Sequence, residues 1–578
     1  MAAFGCVHAA AATLGGGARF AVRVLCGRWF MLFASTMIMT TSGGAYIFGA
    51  YSKALKASLE YDLDTLDTIG FSKNMGISLG IVSGLINEVA PPWVVLVTGA
   101  AMNLAGYLMV YLAMSAAAHR PPVWLMCLYI FVGTVSQTFA STGALVTSVR
   151  NFPDDRGVVL GMLLGYAGFS GAVFTQLYRA FDGGGGGEAA TLLLLLACLP
   201  TAVSLLFSFT VRVIPPRRPP ISSSTAERKG VLGFLGVSVL VGVYLLALNV
   251  VEVKAATRLP RRFYHVTNTL LVLILVVGPL VVVVKQEYHQ QTSSHSHSTL
   301  QQDVPRAVPG PGEQEINYSV RQALCSQHML LLFVATACGI GGIMTVVDNM
   351  SQIGQSLGHS QRTITMLVSL VSLANYAGRV LAGLGSDYVV ARYRLPRPLA
   401  LTATLLLAFF GHLLVAAGLR DGVYAASLIM GFCLGSLWTV LFAVVSEVFG
   451  LKHFSTLYNL STLASPVGSY VLSVQVAGRM YDREAQRQGH RRQDELACVG
   501  VQCFRASFEI IAGVTLLGVA VSMVMAWRTR AFYHDRTRFL FSAAAADVAD
   551  TAATTDSSSS RQEDENKTIA ASQSIGIC

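Results

Sequence analysis

Charged and amide side chains lie inside otherwise apolar stretches of the chain, and these residue types could do chemistry. Arg379 precedes Asp387 by eight residues in one such stretch. A helix would place it roughly 12 Å from that end at 1.5 Å per residue. A buried arginine can bind an anionic solute or a carboxylate that takes up a proton. A structural ion pair, or a side chain that extends toward the headgroup layer, is the alternative.

A carboxylate and an amide, Asp348 and Asn349, come at the end of the apolar stretch 328–350. The carboxylate could gate a pathway, take up a proton during transport or coordinate a cation. A helix-end carboxylate in water is the alternative. The equivalent position in the first half of the chain begins at Tyr46, which is therefore a pathway candidate as well.

Amide side chains within other apolar stretches offer further hydrogen-bonding groups. Gln137, Gln176 and Asn375 are of this kind. They could line a solute cavity, or they could join helices by interhelical hydrogen bonds. The residue pattern leaves both interpretations open.

The elements that must position these residues are membrane-spanning helices. Apolar residues make up 53% of the 578-residue chain and charged residues only 12%, about half the charged share of soluble domains. Stretches long enough to cross a hydrocarbon core form two sets of six: 29–51, 68–88, 93–115, 123–148, 156–181 and 190–213, then 328–350, 362–387, 398–418, 422–447, 454–478 and 506–528. Two more lie between the sets, at 231–253 and 267–285. We predict an all-α membrane protein of two six-helix bundles with 12–14 transmembrane helices.

The same order of signals occurs twice, about 300 residues apart, since the segment Gly84–Glu88 is echoed by Gly383–Asp387. Repeated bundles are typical of transporters whose halves rock around a central cavity. Two arginines follow the second copy, whereas no basic residue follows the first. We predict that a conformational switch is formed, mainly in the second half, by Gly84, Glu88, Gly383, Asp387, Arg392 and Arg394.

Glycines recur at helical spacing in two of the predicted spans. Small residues on one helix face let two helices approach closely. The spacing therefore predicts helix packing, rather than solute contact, at Gly76, Gly80, Gly84, Gly157, Gly161, Gly165 and Gly168.

Basic residues at the ends of the predicted spans indicate the orientation. The start of the chain, the central linker, the loop at 392–397 and the carboxyl end all fall on one side. The positive-inside rule makes that side, with both termini, the cytosol. Residues 254–262 oppose this rule if both central stretches span, so a re-entrant pair is the alternative. The plasma membrane and a vacuolar or other endomembrane are both compatible.

Composition also predicts the domain organisation. We expect an N-terminal bundle at 28–214, a central linker at 215–327 with the two extra helices and a polar loop, and a C-terminal bundle at 328–540. The tail 541–578 is poor in large apolar side chains and is predicted to be disordered. In the external loop 479–505, Cys498 and Cys503 could form a disulfide or stay free thiols.

Enzyme and nucleic-acid functions find no support in the sequence. It has no phosphate-binding loop, zinc-protease pattern or dinucleotide fingerprint, so we predict no enzyme activity, no cofactor and no metal site. The net charge of +10 follows from basic helix ends, so no nucleic-acid partner is expected. The expected partners are a small solute and the lipid bilayer, and the expected state is a monomer.

Short residue patterns in both halves, over about residues 28–540, include Asn151-Phe152-Pro153, Asp348-Asn349, Gly378-Arg379 and Pro396-Arg397-Pro398. These patterns resemble the plant nodulin-like or nuclear-fusion-defective family of the major facilitator superfamily. The Gly-x-x-x-acid pattern resembles the superfamily loop motif between the second and third helices of each half. Leu164 and Ser141 depart from the family pattern, which has a lysine and an asparagine there. The resemblance implies a major facilitator-type fold, with no particular substrate.

We therefore predict a secondary active transmembrane transporter that moves a small solute by alternating access. Arg379 favours an organic anion, with proton coupling through Asp348 or another acid as a further hypothesis. The alternative is a non-transporting membrane receptor or organiser that retains the transporter fold. A cation or metal carrier is a third hypothesis, based on Asp348 and on the loop histidines His289, His295 and His297.

Overall fold

The computed structural model of the protein describes residues 16–59, 63–115, 121–181, 188–214, 221–254, 261–297, 317–489, 491–492, 495–496 and 498–534. The predicted disordered tail at 541–578 lies outside these residues. Almost all of the described chain is helical. Apolar stretches become helices because a helix satisfies every backbone polar group within its own segment, as a bilayer requires.

The first bundle contains ten helical segments. They are α1 Gly16–Cys26, α2 Arg28–Thr41, α3 Phe48–Leu59, α4 Leu63–Ser78, α5 Ile81–Val89, α6 Pro92–Ser115, α7 Val123–Ser141, α8 Thr147–Asn151, α9 Arg156–Phe181 and α10 Glu188–Phe207. A 3₁₀ turn at Gly44–Ile47 joins α2 to α3, and a π-helical turn at Thr142–Val146 joins α7 to α8.

Two long helices follow the first bundle, α11 Ile221–Lys254 and α12 Arg261–His297. Both are long and apolar enough to cross a membrane, with spanning segments Glu227–Val251 and Arg261–Thr292. They pack against each other and against α9. The central apolar stretches therefore form a helix pair, which we call the central pair.

The second bundle repeats the pattern of the first. Its helices are α13 Val320–Leu324, α14 Gln327–Asp348, α15 Met350–Ser356, α16 Gln361–Tyr393, α17 Pro398–Ala417, α18 Gly422–Val448, α19 Phe454–Thr462, α20 Ala464–Ser469, α21 Arg479–Gln488 and α22 Arg505–His534. A π-helical segment, Tyr470–Gly478, joins α20 to α21. A two-stranded hairpin, β1 Arg491–Arg492 with β2 Glu495–Leu496, precedes α22.

Within the described residues, twelve helices have the length and composition of a membrane span. Two of the predicted spans, 29–51 and 454–478, are not continuous helices. The first is interrupted at Ser42 and Gly43, where a Cβ on Gly43 would lie 2.7 Å from the carbonyl oxygen of Ala167. The second is interrupted at Leu463, three residues before Pro466, which has no N–H to continue the hydrogen-bond ladder.

The alternation of helices defines two sides of the protein. We call the side that carries Arg28, Arg212 and Ser326 the terminal side, and the opposite side the distal side. The disulfide Cys498–Cys503 forms in the loop before α22, on the distal side. That loop is fixed to α15, because the N–H of Gly500 donates to the carbonyl oxygen of Ser356 at 2.8 Å.

Candidate functional site

The two bundles meet along two seams. The first seam joins α9 of the first bundle to α16 of the second, and glycines allow the close approach. A Cβ on Gly161 would lie 2.4 Å from the carbonyl oxygen of Arg379, and one on Gly383 would lie 2.4 Å from that of Gly157. Side chains cannot occupy such positions without moving a backbone. The glycine spacing thus serves contact between the bundles.

Arg379 lies in this first seam. Its Nε donates to Oδ1 of Asn375 at 3.0 Å, and its Nη1 donates to the carbonyl oxygen of Leu164 across the seam. The residue is only 3% exposed, and within the described part of the chain it pairs with no carboxylate. A buried cation held only by dipoles retains an unbalanced charge. The seam therefore holds a buried positive charge between the two bundles.

Asp387 joins the bundles at the terminal-side end of the same seam. Its Oδ2 accepts from the N–H of Val158 at 2.8 Å, and Val158 is the third residue of α9. A carboxylate at a helix N-terminus is stabilised by unpaired N–H groups and by the helix dipole. A Cβ on Gly157 would lie 2.2 Å from Oδ1 of Asp387, so only glycine leaves room for the contact.

The arginine that pairs with Asp387 is Arg397, at 2.8 Å. Arg397 also donates to both carboxylate oxygens of Glu447 at 2.8 Å and to Oγ of Ser386 at 2.7 Å. The Tyr533 hydroxyl donates to Glu447 at 2.8 Å. Burial opposes the charge of Arg397, but the two carboxylates outweigh it and raise the pKa of the guanidinium. Arg397 therefore stays cationic and fixes the orientation of Asp387.

The predicted switch named other arginines. Arg392 and Arg394 lie on the exposed surface at the end of α16, where Arg394 has a left-handed backbone with φ 55°. Sequence reasoning did not include Arg397 in the switch. The available signal was its position between two prolines, in a pattern that the family resemblance had already singled out.

A second seam joins α5 of the first bundle to α19 of the second. Oε1 of Glu88 accepts from the N–H of Thr456, the third residue of α19, at 3.2 Å. Oε2 of Glu88 lies 2.7 Å from Nδ1 of His453. A Cβ on Gly84 would lie 2.7 Å from the carbonyl oxygen of Ser455. The first copy of the motif, which has no basic residue of its own, thus meets a histidine of the other bundle.

Further hydrogen bonds join the bundles on the terminal side. Arg156 Nη1 donates to the carbonyl oxygen of Ser446 at 3.1 Å, and Arg150 Nη2 donates to that of Lys452 at 3.1 Å. Deeper in the second seam, Asn459 Nδ2 donates to Oγ1 of Thr142 at 3.0 Å. These contacts close the terminal side in this conformation.

The predicted acidic site lies toward the distal side. Asp348 is exposed and interacts electrostatically with Lys73 of α4, across the boundary between the bundles. Asn349 stays within its own bundle, because its Nδ2 donates to the carbonyl oxygen of Thr345 at 2.8 Å and to Oγ of Ser473 at 3.3 Å. Lys73 was missed by sequence reasoning, since a lysine five residues into the apolar stretch 68–88 was not considered as a partner for Asp348.

The remaining candidates lie apart from Arg379. Gln137 Nε2 donates to the hydroxyl of Tyr107 at 2.9 Å, next to the 3₁₀ turn that contains Tyr46; the Tyr46 side chain lies outside the described residues. Gln176 is buried, and its backbone carbonyl oxygen accepts from Nδ2 of Asn268 at 2.6 Å. Of the predicted pathway residues, the structure brings Arg379 and Asn375 into direct contact.

Comparison with known proteins gives the family. The Nodulin-like domain family matches residues 28–284, and the NFD4 C-terminal domain family matches residues 316–535. The chain belongs to the nodulin-like, nuclear-fusion-defective family. Among the relatives of this nodulin-like protein, NUCLEAR FUSION DEFECTIVE 4 of Arabidopsis thaliana is 24% identical over 541 residues, which cover 88% of this chain and 90% of that protein.

Two further comparisons concern transporters. The uncharacterized MFS-type transporter YhjX of Escherichia coli is 29% identical over 177 residues, 30% of this chain and 42% of that protein. The solved structure of the proton:xylose symporter XylE, bound to 6-bromo-6-deoxy-D-glucose, superposes with a TM-score of 0.52 at 13% identity, covering 85% of this chain and 94% of that chain. The nodulin-like protein is thus a multi-pass membrane protein with the major facilitator fold.

Proposed function

We propose that this nodulin-like protein is a secondary transporter that moves a small organic anion by alternating access. The fold and the transporter relatives support the secondary transporter. We propose an anion as the solute because the positive charge of Arg379 is buried. A positive charge without a carboxylate partner in a low-dielectric seam attracts an anion more strongly than an exposed arginine does.

The placement of Arg379 suits a rocking mechanism. Its guanidinium reaches across the first seam to Leu164 of α9, so a solute that binds it contacts a boundary that must rearrange in each cycle. The terminal-side contacts of Asp387 and Glu88 close one end of this boundary. A solute would therefore enter from the distal side in this conformation, and the contacts would separate when the other side closes.

Asp348 is our candidate for proton coupling. It is exposed toward the distal side and attracted by Lys73 of the opposite bundle. Uptake of a proton by Asp348 would remove that attraction, and the relative position of the bundles would then depend on protonation. Transport that is unchanged by a pH gradient, in wild-type protein and in Asp348→Asn alike, would contradict the coupling.

We also propose that the terminal side faces the cytosol. Basic residues flank the spans on that side, as the positive-inside rule requires, and the disulfide Cys498–Cys503 lies on the opposite side. Disulfides persist on the extracellular or lumenal side of a membrane. Because both seams form within one chain, a monomer contains all of these contacts.

The proposal is tested with purified protein in liposomes, using a panel of carboxylates, amino acids, sugars and metal chelates. Arg379→Ala should abolish or strongly reduce the flux of carboxylates, because the cationic group is lost, while membrane expression is retained. Arg379→Lys should retain the charge but lose the planar donors of the guanidinium. Its carboxylate flux should therefore lie between that of the wild type and that of Arg379→Ala. The matched control is Arg392→Ala, whose side chain is exposed on the same helix.

Two outcomes would contradict the proposal. Carboxylate uptake by Arg379→Ala at the wild-type rate would exclude the role of this arginine. Absence of flux for every solute of the panel, in folded wild-type protein, would favour the alternative of a membrane receptor or organiser that retains the fold.

A further inference from the structure

The central pair is fixed to the first bundle at several levels. Arg28 forms an ion pair with Glu227 of α11 at 2.7 Å, and the rings of Trp29 and Phe234 stack with centroids 6.2 Å apart. On α12, Asn268 donates to the carbonyl oxygen of Gln176 of α9. An ion pair, a ring stack and a buried hydrogen bond together make the pair part of the first bundle.

The same pair also contacts the second bundle, at Tyr376 of α16. Oγ of Ser238 and the hydroxyl of Tyr376 share a hydrogen bond of 2.9 Å. A Cβ on Gly242, about one turn further along α11, would lie 2.8 Å from the Tyr376 ring. The absence of a side chain at Gly242 therefore lets α11 lie directly against this ring.

The other side of the Tyr376 ring contacts α9. The rings of Phe169 and Tyr376 have centroids 5.3 Å apart, and a Cβ on Gly165 would lie 3.0 Å from the same ring. Tyr376 is 8% exposed. The ring of one α16 residue is thus enclosed by α9 on one side and by the central pair on the other.

Tyr376 lies three residues before Arg379, on the same face of α16, and directly after Asn375, which accepts from Arg379. Any shift of α16 that moves the Tyr376 ring also moves this arginine. We propose that Tyr376 is a positioning residue for Arg379 and that the central pair, through Ser238 and Gly242, holds it in the conformer that binds the anion. This inference rests on the proposed function, since it concerns the same arginine.

Alternating access moves α16 relative to α9, so the contact with the central pair must change in each cycle. Ser238 and Tyr376 suit such a contact because both are neutral, and a neutral hydrogen bond is weaker than one between charged groups. The two extra helices therefore add a third surface to the boundary between the bundles, next to the two seams. A twelve-helix bundle pair would lack this surface.

The first experiment measures carboxylate uptake in liposomes for Ser238→Ala and Tyr376→Phe, which remove the same hydrogen bond from opposite sides. Each should raise the apparent KM about fivefold, as expected from the loss of one neutral hydrogen bond, with the maximal rate nearly unchanged. The double variant should resemble either single one. The matched control is Ser372→Ala on the exposed face of α16, where Oγ, within the described residues, bonds only to the carbonyl oxygen of Val368.

A second pair of variants tests the packing contact. Gly242→Ala pushes a methyl group toward the Tyr376 ring, whereas Gly236→Ala on the same helix meets nothing within 4 Å. We expect Gly242→Ala to raise the apparent KM and Gly236→Ala to leave it unchanged. Identical KM values for Gly242→Ala and Gly236→Ala, or for Tyr376→Phe and wild type, would overturn the proposal.

A conformational readout separates this inference from the proposed function. A cysteine is introduced at Ser446, beneath the terminal-side contacts, in a variant from which the free cysteines have been removed. This cysteine is then labelled with a maleimide in the absence of any solute. Gly242→Ala should change the labelling rate and Gly236→Ala should not, even if the panel reveals no transported solute. Unchanged labelling together with unchanged KM would show that the central pair does not control the boundary.

Discussion

Glu88 and Asp387 form the same contact in opposite directions. Each carboxylate lies at the terminal-side end of its bundle and accepts from the N–H of the third residue of a helix in the other bundle, Thr456 at 3.2 Å and Val158 at 2.8 Å. The repeat of the sequence is thus a repeat of contacts. Two helix N-termini are capped across the boundary, and both caps must open when the terminal side opens.

The two caps differ in the cation beside the carboxylate. Asp387 pairs with Arg397, which is 4% exposed and shares Glu447 as a further partner. Glu88 lies beside His453, whose side chain is 26% exposed. A guanidinium stays charged throughout the physiological range. The second half of the chain therefore supplies the permanently charged cap.

The first prediction concerns the cap at Asp387. Asp387→Asn should weaken the closed terminal side, because a hydrogen bond to a charged acceptor is worth about 1 kcal/mol more than one to a neutral acceptor. That energy is about a fivefold shift in the closed population. The shift is measured as faster maleimide labelling of a cysteine introduced at Ser446, together with slower transport.

Ligand binding provides the control for this substitution. Asp387→Asn should leave the thermal stabilisation by a transported solute largely intact, since Asp387 lies two turns from Arg379. Complete loss of that stabilisation would assign Asp387 to the solute site instead. Glu509→Gln, which removes an exposed pair with Arg505 on the distal side, should resemble the wild-type protein in both measurements.

The second prediction uses two glycines of α16. Gly383→Ala places a Cβ 2.4 Å from the carbonyl oxygen of Gly157, whereas Gly385→Ala meets nothing within 4 Å. Overpacking of this kind costs about 1–3 kcal/mol, and here the cost applies to the closed terminal side. We expect Gly383→Ala to open that side, as measured by maleimide labelling. Equal labelling of the two variants would mean that the first seam tolerates a wider spacing.

The third prediction concerns pH and Asp155, in the loop before α9. Burial raises the pKa of Asp155 from its usual 3.8 to about 6; Arg228 opposes this shift, and Asp387, Asp154 and Glu227 add to it. A raised pKa means that the closed terminal side binds the proton more tightly than a state in which Asp155 is hydrated. Protonation therefore stabilises the closed side, and this contribution is lost as the pH rises through about 6.

The measurement is terminal-side labelling across this pH range, corrected for the reactivity of the thiolate. The wild-type protein should become more accessible between about pH 4 and pH 6, the interval between the two pKa values of Asp155. Asp155→Asn should remove this step and keep the side closed at the upper pH, because it mimics the protonated form. Asp154→Asn, an exposed neighbour, should retain the step, and a step that survives in Asp155→Asn would exclude this carboxylate as its source.

The parts of the site that depend on helical periodicity were predictable from the sequence. The glycine spacing at Gly157, Gly161 and Gly165 predicted close packing, and the structure places these residues in the first seam. The repeat predicted a switch residue at both Glu88 and Asp387, and each of the two carboxylates accepts from a helix N-terminus of the other bundle. Such features depend on residues a few turns apart on one helix, and helical geometry is regular enough to read them from spacing.

The partners of these residues were not predictable in the same way. Arg397 rather than Arg392 or Arg394 pairs with Asp387, and His453 lies beside Glu88 from a part of the chain 365 residues away. Helix packing decides which side chain reaches a carboxylate, since an approach within about 4 Å depends on the rotation of both helices. The spacing of residues along one helix does not predict how that helix is rotated relative to its neighbour.

The sequence by itself determined the number and character of the apolar segments, the twofold repeat and the residues for which burial in a membrane is costly. These properties follow from composition and helical period, which are local. Only the tertiary structure decided that α9 meets α16, that α5 meets α19 and that the central pair encloses Tyr376. The reason is physical, because in lipid the association of apolar helices depends on close packing and on interhelical hydrogen bonds, and both exist only once the helices have docked.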